Sequence, residues 1–311
     1  MRRNKMNKPE LNIIHTQIDR IGELADQIFK ARNLYGKDYD LIIRHWPINE
    51  KVNKAVFKIM TRGISAKTFY KNKEIKALNA AVKRWPEVAK EFVAWSKNNI
   101  PWYMPIFSEK EIEQGEQLRR DFGIPGNAKI VVLHVREPGY LPELKYHRHR
   151  DANIETYKPA VKYLTDNGYY VVRIGDSSMK PIHWRNVVDT TRHDAYQQIL
   201  EPYFIYQANL YLGMSSGPNA LAVAFCTPQV LSHVIYGESD SLYRWPHDIR
   251  LFKKTKKDGR ILTQQEIDNS DIYTFTRAEE FENAGVELID NTSDEILDAV
   301  KKSCRKFKRR S

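Results

Sequence analysis

A histidine and an arginine two residues apart, His134 and Arg136, close an unbroken apolar run, Lys129-Ile-Val-Val-Leu-His-Val-Arg. Apolar runs of this length without alternation read as strands buried on both faces, as in a parallel sheet covered by helices. In such sheets ligands gather outside the carboxyl ends of the strands. His134 and Arg136 therefore face the expected crevice, and a guanidinium is suited to gripping phosphate with two hydrogen bonds at once. The alternative is a satisfied core histidine beside a surface ion pair.

A second such place is Ser215-Ser216-Gly217-Pro218, between the run Leu210–Met214 and a helical pattern over 219–225. Small residues at a helix start leave backbone N–H groups turned outward at the positive end of the helix dipole, and serine hydroxyls add donors, which together suit a phosphate. No Lys-Ser or Lys-Thr pair follows, so this is not a Walker loop, and Arg20-Ile-Gly22-Glu23 does not complete a G-x-G-x-x-G pattern. A third strand, 169–174, ends in Arg173 and Gly175-Asp176, where Asp176 can hold sugar hydroxyls or simply shape a turn. The loop from Glu137 to Arg150 carries Tyr140, His149 and Arg150. It reads as a lid or sugar-phosphate clamp, or as a solvated basic loop. In the first half, Asp19, Arg20, Gly22 and Glu23 follow the first strand. A carboxylate there, Glu23 or Asp19, can act as general base for a hydroxyl nucleophile; Glu23 can equally be a first-turn acid favoured by the helix dipole.

The elements that must hold these groups alternate strand and helix. Strands over 11–18, 39–45 and 64–69 alternate with helices over 23–34 and 51–60, half of a doubly wound sheet. A helical, aromatic-rich stretch over 72–98 is interrupted at Trp85-Pro86. Ser108-x-x-Glu111 opens a capped helix ending near Phe122-Gly123. A Pro-Gly break at 125–126 then divides the chain, giving an N-terminal Rossmann-like domain over 1–124 and a C-terminal one over 125–311. In the second, Asp151 caps a helix over 154–167, a helix near 194–208 precedes the Leu210 strand, and 229–234 forms a further strand. The closing helix, 293–307, has Ile296, Leu297, Val300, Cys304 and Phe307 on one stripe.

A hydrophobic content of 41% over 311 residues supports real cores, so wholesale disorder is excluded. No run approaches the ~20 apolar residues that span a bilayer, and no apolar segment follows the basic start in the manner of a signal peptide. Two cysteines, Cys226 and Cys304, offer neither disulfide framework nor metal pattern, and no metal or cofactor is expected. A reducing, cytoplasmic setting is the simplest reading. The net charge of +11 implies anionic company: nucleotide phosphates, nucleic acid or an acidic membrane. No RNA-recognition motif or zinc spacing accompanies it, so nucleic acid is the minority reading. Basic residues crowd both ends, Arg2, Arg3, Lys5 and Lys8 at one and Lys308, Arg309 and Arg310 at the other. Together with the apolar stripe of the last helix, they can hold the protein on an anionic membrane surface.

The series His134-Val-Arg136, Arg150-Asp151-x-x-Ile154-x-x-Tyr157, Gly168-Tyr-Tyr-Val-Val-Arg173-Ile-Gly175 and Gly213-Met-Ser-Ser-Gly217 resembles a bacterial family of glycosyltransferases from surface-polysaccharide loci, best over 129–228. Arg20-Ile-Gly22 is similar too. The resemblance implies a GT-B-like α/β architecture, two Rossmann-like domains facing each other across a cleft. It also implies a nucleotide-sugar donor on the C-terminal side and a glycan or lipid-linked glycan acceptor. The His-x-Arg strand is similar to that of fucosyltransferases, which implies that Arg136 holds the donor diphosphate. Ser215, Ser216 and Gly217 would share that load without a metal ion. A sugar-nucleotide epimerase or hydrolase of the same architecture is the alternative.

Overall fold

The computed structural model describes residues 11–15, 20–37, 39–44, 52–69, 81–139, 145–193, 197–239 and 242–308. The chain forms two compact units, 1–108 and 109–311.

In the first unit four parallel strands lie in the order β3-β2-β1-β4. They are β1 (Leu11–His15), β2 (Tyr39–Arg44), β3 (Ser65–Phe69) and β4 (Ala81–Arg84). Helices α1 (Ile21–Tyr35), α2 (Lys54–Met60) and α3 (Trp85–Ser96) cover the sheet. Leu24, Ile28 and Phe29 of α1 are fully buried, and the Phe29 ring meets Phe92 of α3 at 5.9 Å. Trp85-Pro86 does not interrupt a helix, as the sequence pattern implied. Proline in the first turn starts α3, where a missing N–H costs nothing, and Ala81–Arg84 before it is a strand paired with β1. The part of the expected helix over 72–80, and the end of the first strand over 16–18, lie outside the described residues.

The second unit is a six-stranded parallel sheet in the order β10-β9-β8-β5-β6-β7. Its strands are β5 (Lys129–His134), β6 (Tyr169–Arg173), β7 (Val187–Asp189), β8 (Leu210–Gly213), β9 (Gln229–Val234) and β10 (Ile249–Phe252). Helices α4 (Glu109–Asp121), α5 (Lys158–Asp166), α6 (Leu200–Gln207) and α7 (Gly217–Ala224) connect or cover them. The chain leaves β5 towards β6 and β7, then returns to β8 on the other side, so the order reverses between β5 and β8. A three-stranded antiparallel sheet, β11 (Lys254–Lys257), β12 (Arg260–Ile261) and β13 (Val286–Ile289), is appended after β10 with α8 (Ala278–Asn283). The final helix is α9 (Ser293–Lys308).

Two expectations shift here. Helix α4, placed by the Pro-Gly break in the first domain, belongs to the second unit: Gly115 lies so close to the Tyr203 ring of α6 that a Cβ would stand 1.9 Å from it, and Arg119 donates to the carbonyls of Pro125 and Ala128. The apolar stripe of α9 is core, not a membrane face. Ile296 and Val300 are wholly buried, with Cys304 beside them against α5 and the β5–β6 surface. Among the described residues no helix is long and apolar enough to cross a membrane.

Candidate functional site

Where strand order reverses in a parallel sheet, the connecting loops part and ligands gather at the carboxyl edge; here that point lies between β5 and β8, the candidate crevice. Both groups that the sequence singled out most strongly sit there. His134 is the last residue of β5, and Gly213 at the end of β8 is its register partner. The two backbones approach so closely that a Cβ on Gly213 would lie 2.3 Å from the His134 carbonyl oxygen. Three residues on, Ser216 is the N-cap of α7 with an extended backbone, and its Oγ lies 3.0 Å from His134 Nδ1 and 3.3 Å from the Met214 carbonyl. The hydroxyl has a single proton. If that proton goes to Met214, Nδ1 carries the other, and the imidazole Nε2 is left as an acceptor. The Ser216 side chain thus turns to His134 rather than capping its own helix. Pro218 in the first turn of α7 supplies no N–H. Ser215, Ser216 and Gly217 are all half-buried.

Burial, then the neighbouring Arg173 guanidinium, pushes His134 down to about 4, so it is a neutral ring at physiological pH. Arg136 leaves the strand two residues later. Its Nε donates to Asp151 Oδ1 at 3.0 Å, while its side chain stays about a quarter exposed. That pair corrects the expected role of Asp151: the following turn, Ile154–Tyr157, is capped by Asn153, whose Oδ1 accepts from Glu155 N–H.

Arg173 is not at the crevice. Its side chain has no exposure, and its guanidinium is bound by Glu137 at 2.6 Å, Asp189 at 2.9 Å and the Lys180 carbonyl at 2.5 Å. Burial alone would raise the Asp189 carboxyl, but the Ile182 N–H, the Thr191 hydroxyl, the Arg173 charge and the Thr191 N–H together hold it below the usual range. The knot fastens the loop after β6 to the loop after β5. Asp176 forms a turn, with Oδ1 accepting from Ser178 N–H at 2.9 Å, and Gly175 before it has a φ of +148°, with no room for a Cβ beside Met179.

The described end of the loop after β5, residues 145–150, is tied to the body of the second unit. Lys253 donates to the His149 carbonyl, the His149 ring packs on Phe281 at 5.4 Å, and Arg148 pairs with Glu279 and Glu282 of α8. Arg150 follows, half-buried. Tyr140 lies outside the described residues. In the first unit, Arg20 is the exposed N-cap of α1, Gly22 its half-buried second residue, and Glu23 accepts from Gln27 within the first turns. Asp19 lies outside the described residues.

One acidic group carries no motif in the sequence. Glu201, in the first turn of α6, is buried, and burial followed by the nearby Asp176 charge lifts its carboxyl to about 7. The start of α6 lies after β7, on the same edge as the crevice. The helix pattern in the sequence starts near 194, which puts Glu201 in mid-helix, whereas α6 starts at Leu200 and places it in the first turn; residues 194–196 lie outside the described ones.

No family model matches the chain, and no curated protein matches it in sequence. Solved structures do. TibC of enterotoxigenic E. coli, an iron-containing dodecameric glycosyltransferase, aligns over 96% of this chain and 77% of its own at 14% identity, with a TM-score of 0.50. A family 9 glycosyl transferase of Veillonella parvula aligns over 96% and 97% at 9% identity, with a TM-score of 0.53. The fold is GT-B-like. Iron and twelvefold assembly are said of TibC. Among the described residues of this chain, no three His, Cys, Asp or Glu side chains gather as a metal site.

Proposed function

We propose that the protein transfers a sugar from a nucleotide-sugar donor to a hydroxyl acceptor in the synthesis of bacterial surface glycans. The observation that carries the reading is the meeting of His134 and Ser216 at the strand-order reversal, at the start of α7 and two residues before Arg136. The GT-B-like fold shared with two bacterial glycosyltransferases supports it.

The donor diphosphate would lie at the start of α7, on the N–H groups of Ser216 and Gly217, with Arg136 neutralising the charge that grows as it leaves. Neutral His134 adds no positive charge of its own and fixes the Ser216 hydroxyl. The acceptor oxygen attacks the anomeric carbon, the bond from that carbon to the diphosphate oxygen breaks, and the acceptor proton passes to a carboxylate, for which Glu23 and Asp19 are the proposed bases. Excluding water matters because hydrolysis is the competing outcome.

Thermal-shift titration with UDP, GDP, ADP, CMP and TDP tests the donor site; saturable stabilisation by at least one is expected, and by none would end the reading. A radiolabelled nucleotide sugar then separates transfer from epimerisation or hydrolysis by its products.

A further inference from the structure

The segment that ends the first unit is an extended chain with apolar side chains on both sides. Pro101, Tyr103, Pro105 and Phe107 are buried, while the residues between them, Ile100, Trp102, Met104 and Ile106, are 71%, 59%, 52% and 72% exposed. A surface strand ordinarily alternates apolar with polar; this one does not. An extended chain spaces same-side residues by roughly 6.5 Å, so the four form a ridge of about 20 Å. The ridge is held in place. Asn33 Oδ1 accepts from the N–H groups of Trp102 and Tyr103, the Trp102 indole N–H donates to the Asn33 carbonyl, and the Tyr103 hydroxyl donates to the carbonyl of Met60 at the end of α2. Arg62 Nε donates to the Ile106 carbonyl.

No charged residue occurs between Lys97 and Glu109, yet the surroundings are basic. Lys97 is exposed at one end, Arg62 stands at the other, and Lys54 and Lys58 are exposed on α2. The first unit has 21 Lys and Arg against 10 Asp and Glu, a surplus of 11, whereas the second has 29 of each; the whole net charge of the chain belongs to the unit with the ridge.

We propose that this ridge docks the protein on an anionic lipid bilayer. Contiguous exposed apolar groups mark an interaction surface, and isoleucine, methionine and a tryptophan within a basic field suit the headgroup–acyl boundary. A second copy of the same face would bring like charges together. Nucleic acid would meet the charge but gain little from isoleucine and methionine, which offer bases no ring to stack on. The docking goes beyond sugar transfer and does not depend on it.

Co-sedimentation with phosphatidylcholine vesicles, with and without phosphatidylglycerol, is the test, run without nucleotide on the full chain. The parent should partition onto phosphatidylglycerol vesicles only, and less as salt rises. The double variant Ile100→Ser, Ile106→Ser should lose at least tenfold in partition with an unchanged melting temperature. Met104→Ser, a single exposed change, should lose less. Deletion of 305–311 should leave most of the binding in place. A parent that ignores phosphatidylglycerol, a double variant that sediments like the parent, or a concentration-dependent dimer that the double variant abolishes would each overturn the proposal. Vesicle binding by a chain that no nucleoside diphosphate stabilises would instead count against the transfer reading alone.

Discussion

The ends of β5 and β6 are neighbours in one sheet and look alike in sequence, each finishing an apolar run with an arginine. Their fates differ through burial and partners. Arg173 is enclosed and meets two carboxylates and a carbonyl, so its charge is used up inside the unit. Arg136, two residues past its strand, has one carboxylate partner and keeps part of its guanidinium in solvent. A charge buried on three acceptors is a joint; one held by a single acceptor at an open edge is available to a ligand.

The largest effect should come from breaking the joint. Arg173→Ala leaves the half-buried Glu137 and Asp189 without their cation, and a loss of about 3–5 kcal/mol of stability is expected, read from urea denaturation. If the variant melts like the parent, Arg173 is not the anchor that its contacts imply.

Protonation comes next. His134 and His233 are both buried, and burial pushes each down to about 4 from an ordinary 6.5. His233, 3.9 Å from Asp290, has the left-handed φ of 58° and stacks on Tyr157. Because the unfolded chain binds these protons first, the stability that the two neutral rings contribute is fully present above pH 6.5. It falls as the pH drops towards 4 and is level below that, by on the order of 3 kcal/mol for each ring. His134→Gln should remove one of the two contributions from a pH series of unfolding curves; parallel curves would mean that His134 is not neutral in the fold.

At the open strand end the effect should appear in binding. Arg136→Ala should weaken nucleoside-diphosphate affinity by ~1.5–3 kcal/mol at nearly constant melting temperature. Arg136→Lys should restore little, since a point charge cannot replace a two-pronged contact. Unchanged affinity in both would remove Arg136 from the diphosphate site. The smallest effect is expected at Arg148, whose partners Glu279 and Glu282 are themselves exposed. Arg148→Ala should leave the melting temperature where it was, because solvent already screens those pairs.

The parallel core was legible because β5, β6, β8 and β9 are buried on both faces and so read as continuous apolar runs. The Ser215–Gly217 turn was legible for a different reason, since small residues and proline mark a helix start whatever surrounds it. Arg173 was misplaced because a sequence shows that a strand ends in arginine but not that Glu137 and Asp189, 36 residues before and 16 after, fold back onto it. The antiparallel sheet was invisible: β11 reads Lys-Thr-Lys-Lys, a loop by composition, and exists through its pairing with Val286–Ile289. The ridge over 100–106 is not legible in the sequence because its exposed and buried residues are all apolar, so no pattern distinguishes them.

The chain has two thiols in unlike settings. Cys226 is partly accessible in a left-handed turn, whereas Cys304 is sealed where α9 lies on α5. A thiol reagent can reach Cys304 only when the last helix lifts away. In a Cys226→Ser background its rate of modification becomes a clock for that opening, and the ratio to the rate in urea converts to the free energy of detaching one helix while the rest of the sheet stays folded.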